Sequence, residues 1–421
     1  MESNILRQTW THLKKFGLDY DDFPTIMENV GLLLWVLTIN IQKKWTQNIH
    51  IIFHMMTAIA LFFYLYVHGF SMVWLVYFHY GKKDIEATCV ILALSACSIT
   101  CVIKLVFMKI YAKEIKDTVQ NYLKCDSQVI PDTRFAKNLR KNLRDVKKRS
   151  IIIWIFIVTN GFIYVVRPLI TPGRHFSVEL FLIYGLEPMF ESPNYEISTF
   201  ILTTGISFGV YTMICIAIYV LVVVGYNEAQ MYALSDELEH VWDDSRNFYN
   251  HIKHRINDKR QAVYIKQQIM NDFIRIRLRD IIKFHVTNIN LLRDLDNELR
   301  PTLALEYTIL AFAITTELLG GLENTYLALP YTVVQILMDC LAGQRLIDAC
   351  DNFERSLYSC QWENFNTSNQ KTVLLMLMMS QKTLMLSAGG VTKLNFNCLM
   401  VILKTSYSTY TTLKSTVKKH A

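Results

Sequence analysis

Charge is scarce in this chain. Asp, Glu, Lys and Arg make up only 19% of its 421 residues, against about 25% in ordinary soluble domains. Glycine and proline are scarce too, at 15 and 8 residues, which excludes collagen-like and low-complexity disordered chains. The nine cysteines (Cys89, Cys97, Cys101, Cys125, Cys215, Cys340, Cys350, Cys360 and Cys398) form no C-x-x-C pair. Their odd number supplies no disulfide framework, so they read as buried thiols. The opening MESNILRQTWTHLKKFG reaches Lys14 and Lys15 without an apolar run, so no secretory signal is expected and the first span is expected to do the targeting. Catalytic signatures are also missing: there is no G-x-S-x-G, P-loop, H-E-x-x-H or paired-carboxylate pattern. No enzyme and no cofactor is expected, and nothing points to nucleic acid.

What the chain has is apolar length. Hydrophobic residues make up 52% of it and aromatics 12%. Seven stretches approach the roughly 20 residues that cross a bilayer as a helix: 49–78, 85–108, 150–170, 198–224, 302–322, 327–346 and 396–413. The predicted class is an all-α integral membrane protein with seven transmembrane helices. GLLLWVLTINI (31–41) and VLLMLMM (373–379) are too short to cross and suit interfacial or buried helices. Of 43 Lys and Arg, 32 fall in the segments before span one, between spans two and three, between spans four and five, and after span six. The opposite side holds six, three of them Lys414, Lys418 and Lys419 in the tail. The positive-inside rule therefore predicts a cytoplasmic N-terminus and an external C-terminus. The one sequon, at Asn366, then lies in the cytosol, and no N-glycan is expected.

Residues 225–300 form the longest polar stretch and read as helices continuing out of the membrane. Ile269, Phe273, Ile276, Ile281, Phe284, Ile289, Leu292 and Leu295 recur there at helical spacing. An apolar stripe outside the bilayer must pack on these extensions or on another subunit.

Several groups could carry function. His50 and His54 stand at i, i+4, a metal-capable spacing, but read as interfacial residues opening span one. Glu317 and Asp339 lie within spans, where carboxylates are expensive; both are near span ends and could snorkel. No titratable pair near the middle of a span and no internal repeat is visible, which disfavours a transporter. Trp154, Phe156, Phe162 and Tyr164 flank Asn160-Gly161 in span three. Phe200, Phe208 and Tyr211 stand beside Gly205, Ser207 and Gly209 in span four, and Tyr331 opens span six. Small residues beside aromatics suit either a cavity for a volatile organic ligand or close helix packing. The closing segment LKTSYSTYTTLKSTVKKH (403–420) places Ser408, Thr412, Ser415 and Lys419 on one helical face, bordered by Thr405, Thr411 and Thr416. Such a stripe suits a water-filled pore, which would need several subunits. The alternative is a buried helix whose hydroxyls bond back to the preceding turn.

SAGGVTKLNFNCLMVILKTSYSTYTTLKS (387–415) resembles the C-terminal signature of insect odorant receptors, which runs from a small-residue A-G to a K-x-S-Y-S/T-x-x-x-x-L finish. CLAGQRLIDACDNFERSLYSCQWENF places Cys340, Gly343, Leu346, Tyr358 and Trp362 as that family's sixth-span exit does. The T-Y-h-h-h-h-h-Q-F ending of the related gustatory receptors is absent, as is the long cytoplasmic insertion of the shared co-receptor subunit.

The resemblance implies a tetrameric, odorant-gated, non-selective cation channel in the plasma membrane of olfactory sensory neurons. This chain would be the odorant-specific subunit, assembled with the co-receptor. Its partners would be a volatile odorant, the co-receptor, membrane lipid and permeant cations. The implied divisions are 1–48, a cytoplasmic segment with an interfacial helix; 49–224, spans one to four with the ligand-binding outer half; 225–300, a cytoplasmic helical extension; 301–346, spans five and six; 347–395, a cytoplasmic anchor; and 396–421, the pore helix and tail. Ser408, Thr412, Ser415 and Thr416 would line the pore, although the family's narrowest point is often apolar. Met376, Met378, Met379, Tyr358 and Trp362 would join subunits. Helical facing within the family's pocket, between spans two, three, four and six, selects Leu92, Trp154, Val158, Phe162, Gly209, Met213, Tyr331 and Val334.

Overall fold

The computed structural model describes residues 14–43, 49–80, 84–177, 180–253, 262–382 and 384–420. Helices dominate it. α1 (Phe23–Val36) starts where Asp22 accepts the Thr25 amide, a side-chain cap that satisfies one orphan donor of the first turn. α2 (Ile51–Tyr80) relaxes into π-helical turns at Tyr66–Ser71 and Leu75–Tyr80. α3 (Ile85–Ile110) is capped by Asp84 and leads into α4 (Ala112–Asp126). α5 (Arg134–Ile170), α6 (Asn194–Glu239) and α7 (Val241–Ile252) follow. α8 (Ala262–Leu319) is one helix of 58 residues, and a single turn, α9 (Leu322–Thr325), links it to α10 (Ala328–Ser359). α11 (Thr367–Ser380) is capped by Asn366, the residue of the sequon. The short antiparallel hairpin β1 (Ser387–Ala388) and β2 (Thr392–Lys393) then turns the chain into α12 (Phe396–His420).

Five of these helices (α2, α3, α5, α6 and α8) are long and apolar enough to cross a membrane. α10 and α12 cover the other two expected segments and are long enough, at 32 and 25 residues. Gln335, Asp339, Gln344 and Arg345 on α10 and the hydroxyls of α12 make them more polar than the other five. α6 is the central helix: 83% of its apolar stretch is buried, against 17% for α5. α5 and α10 pack on α6, α3 packs on α8, and α12 lies along α8 and α10. The bundle has a loop end, where residues 171–177, 180–193 and 320–327 lie between helices, and an extension end, where α5, α6, α8 and α10 run on.

At the extension end α8 buries Met270, Ile274, Leu278, Ile281, His285, Asn288, Leu292 and Leu295. This differs in phase from the sequence-based stripe, because Ile276 is 48% exposed while Met270, Ile274 and Leu278 turn inward. Apolar residues lie on both faces of this segment, so the partner helices choose the phase. Arg277, paired with Glu237 of α6, fixes that choice. Arg134 joins the same network, 3.0 Å from Glu237 and 2.7 Å from Asp244. Lys147 Nζ donates to the carbonyls of Lys15, Gly17 and Tyr20, which ties the segment before α1 onto α5.

Candidate functional site

The π-helical turn of α2 begins just after Tyr64 and contains His68. Extra residues per turn re-aim side chains, and such turns recur at functional sites. Across from α2, α6 carries Gly209, where a Cβ would stand 2.8 Å from Tyr64 Cε2. On α5, a Cβ at Gly161 would stand 2.9 Å from Val210 Cγ2. The missing side chains therefore let α6 close on both neighbours. Between them and α10 lies a cavity of about 90 Å³, lined among others by Tyr64, His68, Leu94, Cys97, Asn160, Tyr164, Gly209 and Tyr331. It is near the loop end. Leu94, Tyr164, Leu327 and Ala328 are shared with a wider vestibule of about 470 Å³, whose wall holds Arg167, His175, Glu323 and Tyr326. The Arg167 guanidinium lies 5.2 Å from the centre of the Tyr326 ring.

The polar groups of the cavity divide into satisfied and unsatisfied sets. The Tyr64 hydroxyl donates to the Ser98 carbonyl at 3.2 Å. Cys97 Sγ lies 2.9 Å from Thr332 Oγ1, which donates to Glu317 Oε1 at 2.7 Å. By contrast, His68 Nδ1 is buried without a hydrogen-bond partner. The side chains of Asn160, Tyr164 and Tyr331 make no hydrogen bond among the described residues.

A polar seam leads from the cavity toward the extension end. α3 and α10 run parallel there, and Cys97, Thr100 and Lys104 meet Thr332, Gln335 and Asp339 at the same 3, 4 spacing. Thr100 Oγ1 donates to Gln335 Oε1 at 3.5 Å. Lys104 Nζ sits 2.7 Å from Glu306 Oε1 and 3.9 Å from Asp339 Oδ2, with all three side chains under a tenth exposed. Glu317 is fully buried as well. Two sequence expectations are corrected here. Glu317 and Asp339 do not snorkel, and a buried titratable cluster exists because three helices bring together residues far apart in the chain.

Of the eight residues selected by facing, Gly209 and Tyr331 line the cavity. Met213 is fully buried, one turn farther along α6. Leu92, Val158 and Val334 are half-buried and outside the lining, while Trp154 and Phe162 face outward at 38% and 64% exposure. The inward face of α5 carries Ile157, Asn160, Gly161 and Tyr164 instead, a rotation of the chosen face. Facing also missed Tyr64 and His68, because α2 was not expected at the site. A histidine inside an apolar run was the available signal.

On α12, Ser408, Thr412, Ser415 and Thr416 are all exposed on the isolated chain. Their environment combines both sequence readings. The Thr412, Ser415 and Thr416 hydroxyls donate to carbonyls of the preceding turn, yet only Ser406 of the hydroxyl residues is buried, donating to the Ala311 carbonyl of α8. At the other end of the molecule, Tyr358, Trp362, Met378 and Met379 are exposed, beside Leu374 and Leu375 at 58% and 60%. Met376 turns inward and is buried. His50 and His54 lie exposed at the start of α2, and no group of three potential ligands gathers among the described residues.

Solved structures share this fold, among them two of one receptor. The insect olfactory receptor OR5 from Machilis hrabei in complex with eugenol superposes with a TM-score of 0.71 at 11% identity, covering 94% of this chain and all of that one. A second structure of the same receptor gives 0.70 at 11% identity, over 92% of this chain and 97% of that one. At that identity the likeness shows the fold. No curated protein matches by sequence. The family model described as 7tm Odorant receptor matches residues 84–407, a range that takes in α3 and Tyr164, the α10 face and the first half of the hydroxyl-bearing helix. A chain that meets this model over most of its length, and folds as these receptors do, belongs to the odorant receptor family, whose members are receptors and not enzymes.

Proposed function

We propose that the chain is the odorant-specific subunit of a tetrameric, odorant-gated, non-selective cation channel, assembled with a shared co-receptor in the plasma membrane of olfactory sensory neurons. The loop end faces outside and the extension end, with the N-terminus, lies in the cytoplasm. The cavity among α2, α3, α5, α6 and α10 receives the odorant. α12 lines the pore, and α11 with the end of α10 joins the subunits. The observation that carries this reading is the exposure of Ser408, Thr412, Ser415 and Thr416 on one chain. In lipid a hydroxyl-covered helix surface lacks partners, whereas around a shared axis it meets water. Odorant binding favours the open arrangement only as far as the cavity holds the ligand better in that state.

The test is whole-cell current from cells expressing this chain with and without an insect co-receptor, across a broad odorant panel. Odorant-evoked cation current that changes with Thr412 or Ser415 substitution supports the receptor and its pore helix together. Silence in both conditions, with the protein shown at the cell surface, rejects it. The Lys104, Glu306 and Asp339 cluster is what a transporter would need, and in that outcome it becomes the starting point for a substrate-coupled reading.

A further inference from the structure

We infer that the cavity selects a compact, neutral ring odorant bearing one hydroxyl group, in preference to its ether or hydrocarbon counterparts. This rests on the reading of the cavity as the odorant site. The walls are flat: the rings of Tyr64, Tyr164 and Tyr331 and the His68 imidazole border it, with Tyr64 and His68 centred 4.8 Å apart. Planar walls suit a ring, and a volume of about 90 Å³ restricts the ligand to a small one.

The polar chemistry is more specific. Among the described residues, His68 Nδ1 is buried without a hydrogen-bond partner, and the lining side chains of Asn160, Tyr164 and Tyr331 make no hydrogen bond. Without a ligand, water can serve them. A hydrocarbon that displaces this water strands them, and a buried group left unpaired carries its full desolvation cost. That is how a site built for a hydroxyl discriminates against the analogue that lacks one. A ligand hydroxyl matches both kinds of group present. It accepts from a tyrosine O–H or the Asn160 amide, and it donates to the imidazole nitrogen in the tautomer that leaves Nδ1 unprotonated. In that tautomer an ether oxygen, which can only accept, leaves Nδ1 unserved. Among the described residues no Lys, Arg, Asp or Glu lines the cavity, so an anionic or cationic odorant would lose hydration there with no counter-charge in the cavity wall.

Phenol, anisole and toluene keep one ring and change only this function; benzoate adds the charge. Whole-cell currents are recorded from cells expressing the full chain with an insect co-receptor, and surface protein is quantified in parallel. Phenol is expected to act at concentrations about tenfold or more below toluene, with anisole between them and benzoate inactive. Tyr331→Phe and Tyr164→Phe remove a hydroxyl and keep the ring, and His68→Leu removes the imidazole. Each should narrow the gap between phenol and toluene by raising the phenol concentration required. Equal potency of the three compounds, activation by benzoate, or variants that move all three alike would overturn the inference. A response to other panel odorants with none to phenol overturns it too, while leaving the receptor reading intact. Only silence to the whole panel with protein at the surface reaches the receptor reading itself.

Discussion

His285 lies 5% exposed on α8, beyond the expected membrane boundary, with its ring 4.5 Å from that of Phe353. Burial disfavours the imidazolium and pushes the group down from its ordinary 6.5 to about 4. The folded state therefore resists a proton that the unfolded chain takes up readily. Its contribution to stability is complete above pH 6.5 and is lost as the pH falls from there toward 4. By pH 5 this one site costs about 2 kcal/mol. Thermal unfolding of the detergent-solubilised protein should show a fall between pH 7.5 and 5 that His285→Phe diminishes; an unchanged slope in that variant would mean that other groups set the acid response. Gly343 makes a different single-residue demand. A Cβ there would sit 2.2 Å from the Leu394 carbonyl oxygen, and backbone cannot rotate away as a side chain can. Gly343→Ala should destabilise the protein by about 1–3 kcal/mol or more, read as a lower melting temperature and reduced surface yield.

Between the residue and the molecule stands the packing of α3, α8 and α10. Lys104 is held between Glu306 and Asp339, so Lys104→Met leaves two carboxylates facing each other without a cation. Removing one partner of a buried ion pair costs about 3–5 kcal/mol. Lys104→Met should reach the surface poorly and melt early, and adding Glu306→Gln and Asp339→Asn should restore much of the loss; failure of the triple variant to recover would show that the lysine stem, rather than its charge, holds the helices. This cluster also marks where sequence reading stopped. Hydropathy and the positions of Lys and Arg were enough to find α2, α3, α5, α6 and α8 as long apolar helices, because each signal is local to one helix. The extension of α6 and α8 beyond the apolar stretches was legible for the same reason. The rotation of a helix is not local. Trp154 and Phe162 were as plausible inward as Asn160 and Tyr164 until α6 placed Gly209 and Val210 against α5. Lys104, Glu306 and Asp339 are separated by some 200 and 30 residues, so no spacing in the chain announces that they meet. Met376, buried beside exposed Met378 and Met379, is a third case.

Taken as a whole, the single chain inverts the usual distribution of polarity. Leu374, Leu375, Met378 and Met379 are exposed at the extension end, where water is expected. Ser408, Thr412, Ser415 and Thr416 are exposed along a helix that lies against α8 within the bundle, where lipid is expected. The proposed assembly around one axis would relieve both at once, covering the apolar residues of α11 and enclosing the hydroxyls of α12 around water. The two surfaces should therefore fail separately when altered. A charged pair, Leu375→Asp with Met378→Asp, should leave each chain folded but shift the solubilised protein to smaller species on size exclusion, with odorant-evoked current lost. Thr412→Cys should leave assembly intact and make the current sensitive to a charged, membrane-impermeant thiol reagent, since such a reagent reaches a sulfur only through water. All nine native cysteines are free and eight are buried, so the unsubstituted chain supplies the control for background labelling. If Thr412→Cys remains unmodified while the assembled channel conducts, α12 of this subunit lies against lipid or a neighbour, and the water-filled path must be formed by the co-receptor's helices.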